Sequence, residues 1–230
     1  AKRKKSTFRG AFHFLAVYNL VRMEKMSGSL DLVTQAELIE DFQGLAEDYG
    51  RYSTACYIAE FLDTFTLDGQ VVGNLYDITS EALHRLQQNI PLADLLFSFE
   101  SKALRALGFF PRLRDCGGCR SAITTSEAYF APRDGGVICL RCRPRDQKRF
   151  LVRRAALESL IHFGEGDMPR EPIKKWLVDA LRTILDTVIT YQLERTLRSS
   201  RFVRRALLES DKPSDNNNVT RVAPSLQKGV

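Results

Sequence analysis

Four of the five cysteines in this chain fall into two Cys-x-x-Cys pairs, Cys116 with Cys119 and Cys139 with Cys142, and nineteen residues lie between the pairs. No other feature limits the fold as tightly. Two thiols on one short turn can reach a common metal ion, and two such knuckles place four sulfurs at the corners of a tetrahedron. Gly117 and Gly118 sit inside the first knuckle, where tolerance of positive φ eases the turn. Between the pairs, Glu127 to Cys139 reads as strand, turn, strand, with Asp134-Gly135-Gly136 at the turn. This is the layout of a zinc ribbon, and zinc suits a closed set of four thiolates. A four-sulfur iron site shares the spacing. A disulfide framework lacks the support of an export signal, and a thioredoxin-like pair needs one Cys-x-x-Cys in a βαβ context. A centre with no open ligand position is structural rather than catalytic. Cys56 stands apart on an apolar helical face and is expected to be a small core residue.

Charge is segregated along the chain. Asp31 to Glu100 holds thirteen acids against two bases, Arg51 and Arg85, whereas Pro111 to Arg154 holds eleven bases against four acids. Lys2, Arg3, Lys4, Lys5 and Arg9 form a second basic cluster with no acid among them. A surface of this kind is suited to polyanions. Arg141, Arg143, Arg145, Lys148 and Arg149 follow the second knuckle, and Arg112, Arg114 and Arg120 flank the first. Neutralising phosphates releases counterions, so binding through such residues is salt-sensitive and largely blind to sequence. Phe12, Phe14 and Tyr18 follow the N-terminal cluster, a mixture that suits single strands. Phe12 and Phe14 are read first as inward residues of a strand.

Ala11 to Lys25 and Leu30 to Thr34 read as two strands separated by the turn residues Met26 to Ser29. Two strands alone are marginal, and the chain opens at Ala1 without Met, so it is read as a fragment. From Gln35, the spacing of Leu38, Ile39, Phe42, Leu45, Ala46 and Tyr49 predicts a helix. Further helices are expected over about 52–65, with Ala55, Cys56, Ala59 and Leu62 inward, and from a Thr79 or Ser80 cap to about 88. Pro91 should open another, closed by Gly108. After the cysteines, Phe150 to Phe163 reads as a helix ending near Gly164. Ile173 to Arg198 reads as one long helix with Leu177, Leu181, Ile184, Val188 and Tyr191 along its buried stripe. Residues 211–230 are polar and rich in Asn and Pro and are expected to be a disordered tail.

No phosphate-binding loop, dinucleotide fingerprint, HExxH or G-x-S-x-G elbow is present in the sequence, and no recognisable carboxylate pair carries catalysis. His13, His84 and His162 lie far from the cysteines and read as surface or packing residues. The expectation is a protein without an enzymatic site. No run of about eighteen apolar residues suggests a membrane span.

The order of these features resembles the RecO family of bacterial recombination mediators. The residues that carry the resemblance are AKRKKSTFRGAF at the start, LVTQAELIEDF, FESKALRALGFFPRLRDCGGC into the first knuckle, DGGVICLRC at the second and YQLERTLRSSRFV near the end. The resemblance implies an α+β, mostly α, architecture: an incomplete N-terminal OB-type barrel over 1–34, whose first strands are absent, and a helical domain over 35–210. A zinc ribbon at 112–145 is inserted in that domain, and the tail follows at 211–230. It implies one structural zinc on Cys116, Cys119, Cys139 and Cys142. It also implies binding of single- and double-stranded DNA, annealing of complementary strands, and loading of RecA with RecR on DNA coated by single-strand-binding protein (SSB), whose C-terminal tail is a partner. It implies a cytoplasmic location, at the bacterial nucleoid. Lys2 to Arg9 would lie on the barrel's DNA face. That the arginines of the ribbon extend this track rests on charge alone. The alternative is a zinc-ribbon subunit of a transcription or translation assembly.

Overall fold

A computed structural model describes residues 12–24, 30–88, 90–142, 148–166, 169, 171 and 173–210. About half of the described residues are helical, with two small antiparallel sheets. β1 (Ala16–Met23) and β2 (Leu32–Asp41) form a two-stranded ribbon with irregularities between Val17 and Tyr18 and between Val21 and Arg22. β2 runs to Asp41 instead of stopping at Thr34, so the helix expected from Gln35 is absent. The cause is pairing. Leu38 lies opposite Tyr18 and Ala36 opposite Leu20, and the ladder outweighs a helical spacing that only Phe42 and Leu45 use for burial. Leu38 and Ile39 are 45% and 59% exposed.

The helical body begins at a 3-10 turn, Gln43–Glu47. α1 (Tyr49–Phe65) starts where the Asp48 carboxylate accepts from the Arg51 amide at 2.8 Å. Its inward face is Tyr57, Ile58, Phe61 and Phe65 together with Ala55, and Cys56 is half-buried beside this face rather than in the core. α2 (Leu75–Leu86) begins earlier than Thr79, whose hydroxyl instead donates back to the Leu75 carbonyl. α3 (Leu92–Ala106) follows Pro91 as expected and closes at Gly108, whose φ is +79°.

The cysteine module comes next. β3 (Glu127–Ala131) pairs with β4 (Gly136–Ile138) and with β5 (Phe150–Arg153), in the order β4-β3-β5. β5 replaces the first turn of the helix expected from Phe150, because Val152 pairs with Ala128 and Phe150 with Phe130. α4 (Arg154–Glu165) then ends at Gly166, in left-handed conformation, and not at Gly164. Gly164 packs so closely on Arg105 that an added Cβ would lie 2.8 Å from its guanidinium.

The last predicted helix divides. α5 (Lys175–Leu193) stops at Glu194, which is left-handed at φ 55°, and α6 (Ser200–Ser210) follows. The corner is held by Glu60 of α1, whose carboxylate accepts from the amides of Arg198 and Ser199 and from the Ser199 hydroxyl. Those three donors pull the Glu60 pKa down although its partial burial opposes charge. Of the predicted stripe, Leu181, Ile184 and Val188 are buried, Leu177 is half-buried and Tyr191 is exposed.

One continuous core joins these parts. Phe61, Phe65 and Phe99 pack together, Phe97 meets Phe163, and Phe130 of the module is fully buried in the same cluster. Inside it, the Arg182 guanidinium grips the Glu100 carboxylate with two bonds of 2.8 Å, and the Tyr57 hydroxyl donates to the same carboxylate. Burial raises the Glu100 pKa against the pull of Arg182, and Arg182 stays charged between Glu100 and Asp186. The strand pair is tied to the body by the Phe42 amide, which donates to the Leu15 carbonyl, and by His84, whose Nε2 lies 2.8 Å from Glu40. No helix among the described residues is long and apolar enough to cross a membrane.

Candidate metal centre and basic surface

The two knuckles meet at the end of the β3–β4 hairpin. The first leaves α3 through Arg112, whose amide donates to the Gly135 carbonyl and whose carbonyl accepts from Val137. That clamp explains Gly136: at φ +141°, an added Cβ would stand 2.1 Å from the Arg112 carbonyl oxygen. Gly135 takes the left-handed position after the short Pro132–Asp134 turn. The expected turn is therefore in place, with both glycines required.

The first knuckle is built differently from the sequence expectation. Neither Gly117 nor Gly118 has positive φ. Gly117 is small because it lies against the hairpin, its amide donating to the Val137 carbonyl at 2.8 Å, and an added Cβ would meet the Asp134 carbonyl at 2.7 Å. Gly118 lies against Cys142, whose Cβ and Sγ would both stand 3.3 Å from an added Cβ. The left-handed residue is Arg120, at φ 64°, held by its amide's bond to the Cys116 carbonyl.

The sulfurs of Cys116, Cys119, Cys139 and Cys142 all lie within 4.8 Å of one another. Cys119 and Cys139 are 3.8 Å apart at Sγ. A tetrahedron with bonds of about 2.3 Å has sulfur-to-sulfur edges of about 3.8 Å, so the four side chains could hold one metal ion. Cys116 is fully buried, Cys139 and Cys142 are half-buried and Cys119 is exposed. Amides of Gly118 and Cys139 donate to Cys116 Sγ at 3.4 and 3.3 Å. Amide donors of this kind compensate charge on a coordinated sulfur.

Without an ion, four clustered thiols cannot all ionise. The Ser121 amide and hydroxyl and the neighbouring thiols lower Cys119 to about 6. Cys116 is also lowered: burial opposes its charge, and the amides of Cys119, Cys139 and Gly118 overcome that. Cys142, hydrogen-bonded to Cys119 and Cys139, is pushed up to about 12. A cation held by all four sulfurs would displace the protons that the cluster shares.

Of the predicted phosphate contacts, Arg141 is exposed in the second knuckle, and Lys148 and Arg149 are exposed just before β5. Arg120 is exposed in the first knuckle. Because the knuckles share the sulfur cluster, Arg120 and Arg141 are carried on one small platform. Arg114 is exposed too but is engaged with Glu165 at 2.5 Å. Arg143 and Arg145, and the whole cluster Lys2, Arg3, Lys4, Lys5 and Arg9, lie outside the described residues, as does the tail 211–230. Phe12 and Phe14, read as inward, are 47% and 58% exposed, and Phe12 meets Tyr18 edge-on at 5.1 Å. His13, His84 and His162 take no part in the centre.

Sequence reasoning missed β5, which follows the cysteines closely and closes the module's sheet. Its Phe150–Arg153 run alternates in burial, a signal overridden by the longer helical pattern behind it. It also missed the Glu100–Arg182 pair, for which no local signal exists.

The family model described as "Recombination protein O C terminal" matches residues 46–201, a span that contains α1 to α5, the cysteine module and the start of α6. The DNA repair protein RecO of Desulforudis audaxviator is 32% identical over 186 residues, covering 79% of this chain and 73% of that protein. RecO of Symbiobacterium thermophilum is 31% identical over 212 residues, covering 88% and 82%, and RecO of Desulforamulus reducens is 30% identical over 183 residues, covering 76% and 70%. With its helical body, its four-cysteine module and this level of likeness over most of its length, the chain belongs to the RecO family.

Proposed function

We propose that this chain is a non-enzymatic DNA repair and recombination mediator. It binds single- and double-stranded DNA through basic side chains and anneals complementary strands. With RecR, it helps RecA load on DNA coated by SSB, whose acidic C-terminal tail it contacts. The observation that carries this reading is the family membership of a chain whose sulfur cluster bears arginines on both knuckles. The ion is a single structural zinc on Cys116, Cys119, Cys139 and Cys142, the donor set that this metal prefers. β1 and β2 are the closing strands of an OB-type barrel, a reading supported by their antiparallel pairing and by the apolar side chains they expose.

Annealing by this route is charge compensation. Two strands repel, and a basic surface that holds both lowers that cost while leaving base edges free to pair. Arg120, Arg141, Lys148 and Arg149 supply positive charge without reading bases, as do Arg143, Arg145 and the cluster Lys2, Arg3, Lys4, Lys5 and Arg9. No step requires a nucleotide triphosphate.

The test is annealing of complementary strands pre-coated with SSB, using the chain with no ATP present. Fast annealing that slows steeply with salt is the expected result. No acceleration by the folded, metal-loaded chain would overturn the reading in favour of a ribbon subunit of a larger assembly.

A further inference from the structure

A second surface has the chemistry of a nucleic-acid site and lies away from the cysteines in the fold. α1 and the α5–α6 corner enclose a groove of about 730 Å³, within the range of about 300–1,000 Å³ that holds small organic ligands. Three of its aromatic rings are open to solvent: Tyr49, Tyr52 and Phe202, at 46%, 40% and 41% exposure. Arg195 and Arg198 line the same groove, and Arg201 stands beside it with its guanidinium carbon 4.6 Å from the Phe202 ring centre. Arg205 lies over Tyr49 at 5.7 Å. The Arg201 guanidinium keeps its charge while it rests on the Phe202 ring. Among the described residues, no carboxylate forms an ion pair with Arg195, Arg198 or Arg201.

Arg195, Arg198 and Arg201 outnumber the two carboxylates of the groove, Glu60 and Asp63, and the Glu60 charge acts on Arg198. Glu60 is committed to the α5–α6 corner, where it accepts from the backbone amides of Arg198 and Ser199 and from the Ser199 hydroxyl. Only Asp63 remains at the rim. Tyr52 offers an open ring, and Tyr49 and Phe202 each carry a guanidinium on one face, so rings and arginines side by side suit a ligand that has both flat faces and negative charge. A single strand has this combination, since each base offers a π-face and each linkage a phosphate. Duplex DNA stacks its bases away, and an acidic peptide would satisfy the arginines but leave the rings without a stacked partner.

We propose that the groove between α1 and the α5–α6 corner binds single-stranded DNA, with a base stacked on Tyr52 and phosphates held by Arg195, Arg198 and Arg201. This rests on the DNA-binding reading above and deepens it. A chain with one strand on the ribbon platform and another in this groove can hold two strands at once, which annealing needs.

The test measures binding of the full chain to a fluorescent oligothymidylate of about 15 nucleotides, within the site sizes of single-strand binders, across a salt series. Arg195→Gln with Arg201→Gln removes two phosphate contacts and should lower the salt slope by about 1.4, at about 0.7 per contact for single strands. Tyr52→Ala should weaken binding by about 5- to 100-fold with the slope unchanged. All three side chains are exposed, and unchanged thermal unfolding would confirm intact folding. If the parent chain binds the oligonucleotide and both variants bind it equally well, the groove proposal fails while the mediator reading stands. If the parent chain binds no DNA, both fail. If the variants keep oligonucleotide binding but lose an acidic peptide that the parent chain binds, the groove is a peptide site and the proposal is overturned.

Discussion

The helical body and the cysteine module hold their backbones by different means. In the body, Tyr57, Phe61, Phe97, Phe99 and Leu104 are almost wholly removed from water and pack across α1 and α3, and one buried ion pair joins α3 to α5. In the module, the hairpin lends Phe130 and Val137 to the same core, but the knuckles beyond it bury little except Cys116 and the edge of the hairpin. Their shape depends on a few amide bonds and on the sulfur cluster. A segment with so little apolar burial cannot offset its own ordering entropy, and an ion held by the four cysteines would supply what packing does not. The two regions should therefore fail separately.

The largest expected effect comes from the metal. Structural zinc contributes about 10–16 kcal/mol in small zinc modules, more than the knuckles' few contacts could replace. Cys139→Ser should abolish tight metal binding, and hydrogen exchange should show lost protection at 115–121 and 139–142 with the amides of α1, α3 and α5 still protected. Collapse of helix protection together with the knuckles would break the comparison.

Next comes Phe130→Ala, in the core that the two regions share. It should cost about 3–5 kcal/mol of global stability, read by denaturant unfolding, with metal still bound. Arg182→Met acts on the body alone. It leaves Glu100 buried without its cation, a change that costs about 3–5 kcal/mol, and it should leave metal content untouched.

The smallest effect is a pH dependence. The Asp94 carboxyl is buried, one of its oxygens has no hydrogen-bond partner, and burial pushes its pKa up to about 6 from an ordinary 3.8. The folded state thus binds this proton more tightly than the unfolded one. Its stabilising contribution is complete below about pH 4 and is lost as pH rises through 6. Asp94→Asn should be more stable than the parent by about 1–2 kcal/mol at pH 7–8, less than the full shift because the first turn of α3 favours a negative charge. The advantage should vanish near pH 4, as thermal unfolding at the two pH values would show.

What could be read in the sequence follows the same division. Thiol spacing is a local property, so the cluster of four cysteines that could hold a metal ion was legible residue by residue. The Pro91 start and Gly108 stop of α3 were legible too, because each residue's backbone restriction acts where it stands. The misreadings arise where a distant partner decides. Leu38 and Ile39 have helical spacing but pair with β1, and Phe150–Arg153 joins β3 across the second knuckle. The long helix after Ile173 breaks because Glu60, 138 residues from Arg198, caps the corner. Gly117 was correctly singled out for the wrong reason: it serves close approach, whereas the left-handed turn falls to Arg120.

The central claim is that the ion holds the knuckles and that the knuckles hold part of the DNA-binding charge. Its most direct test is a salt series of DNA binding by the full chain before and after metal removal by a chelator, with hydrogen exchange on the same samples. The account predicts weaker binding and a flatter salt slope once the metal is gone, with α1, α3 and α5 still protected. Equal affinity and equal slope in the metal-free chain would contradict it.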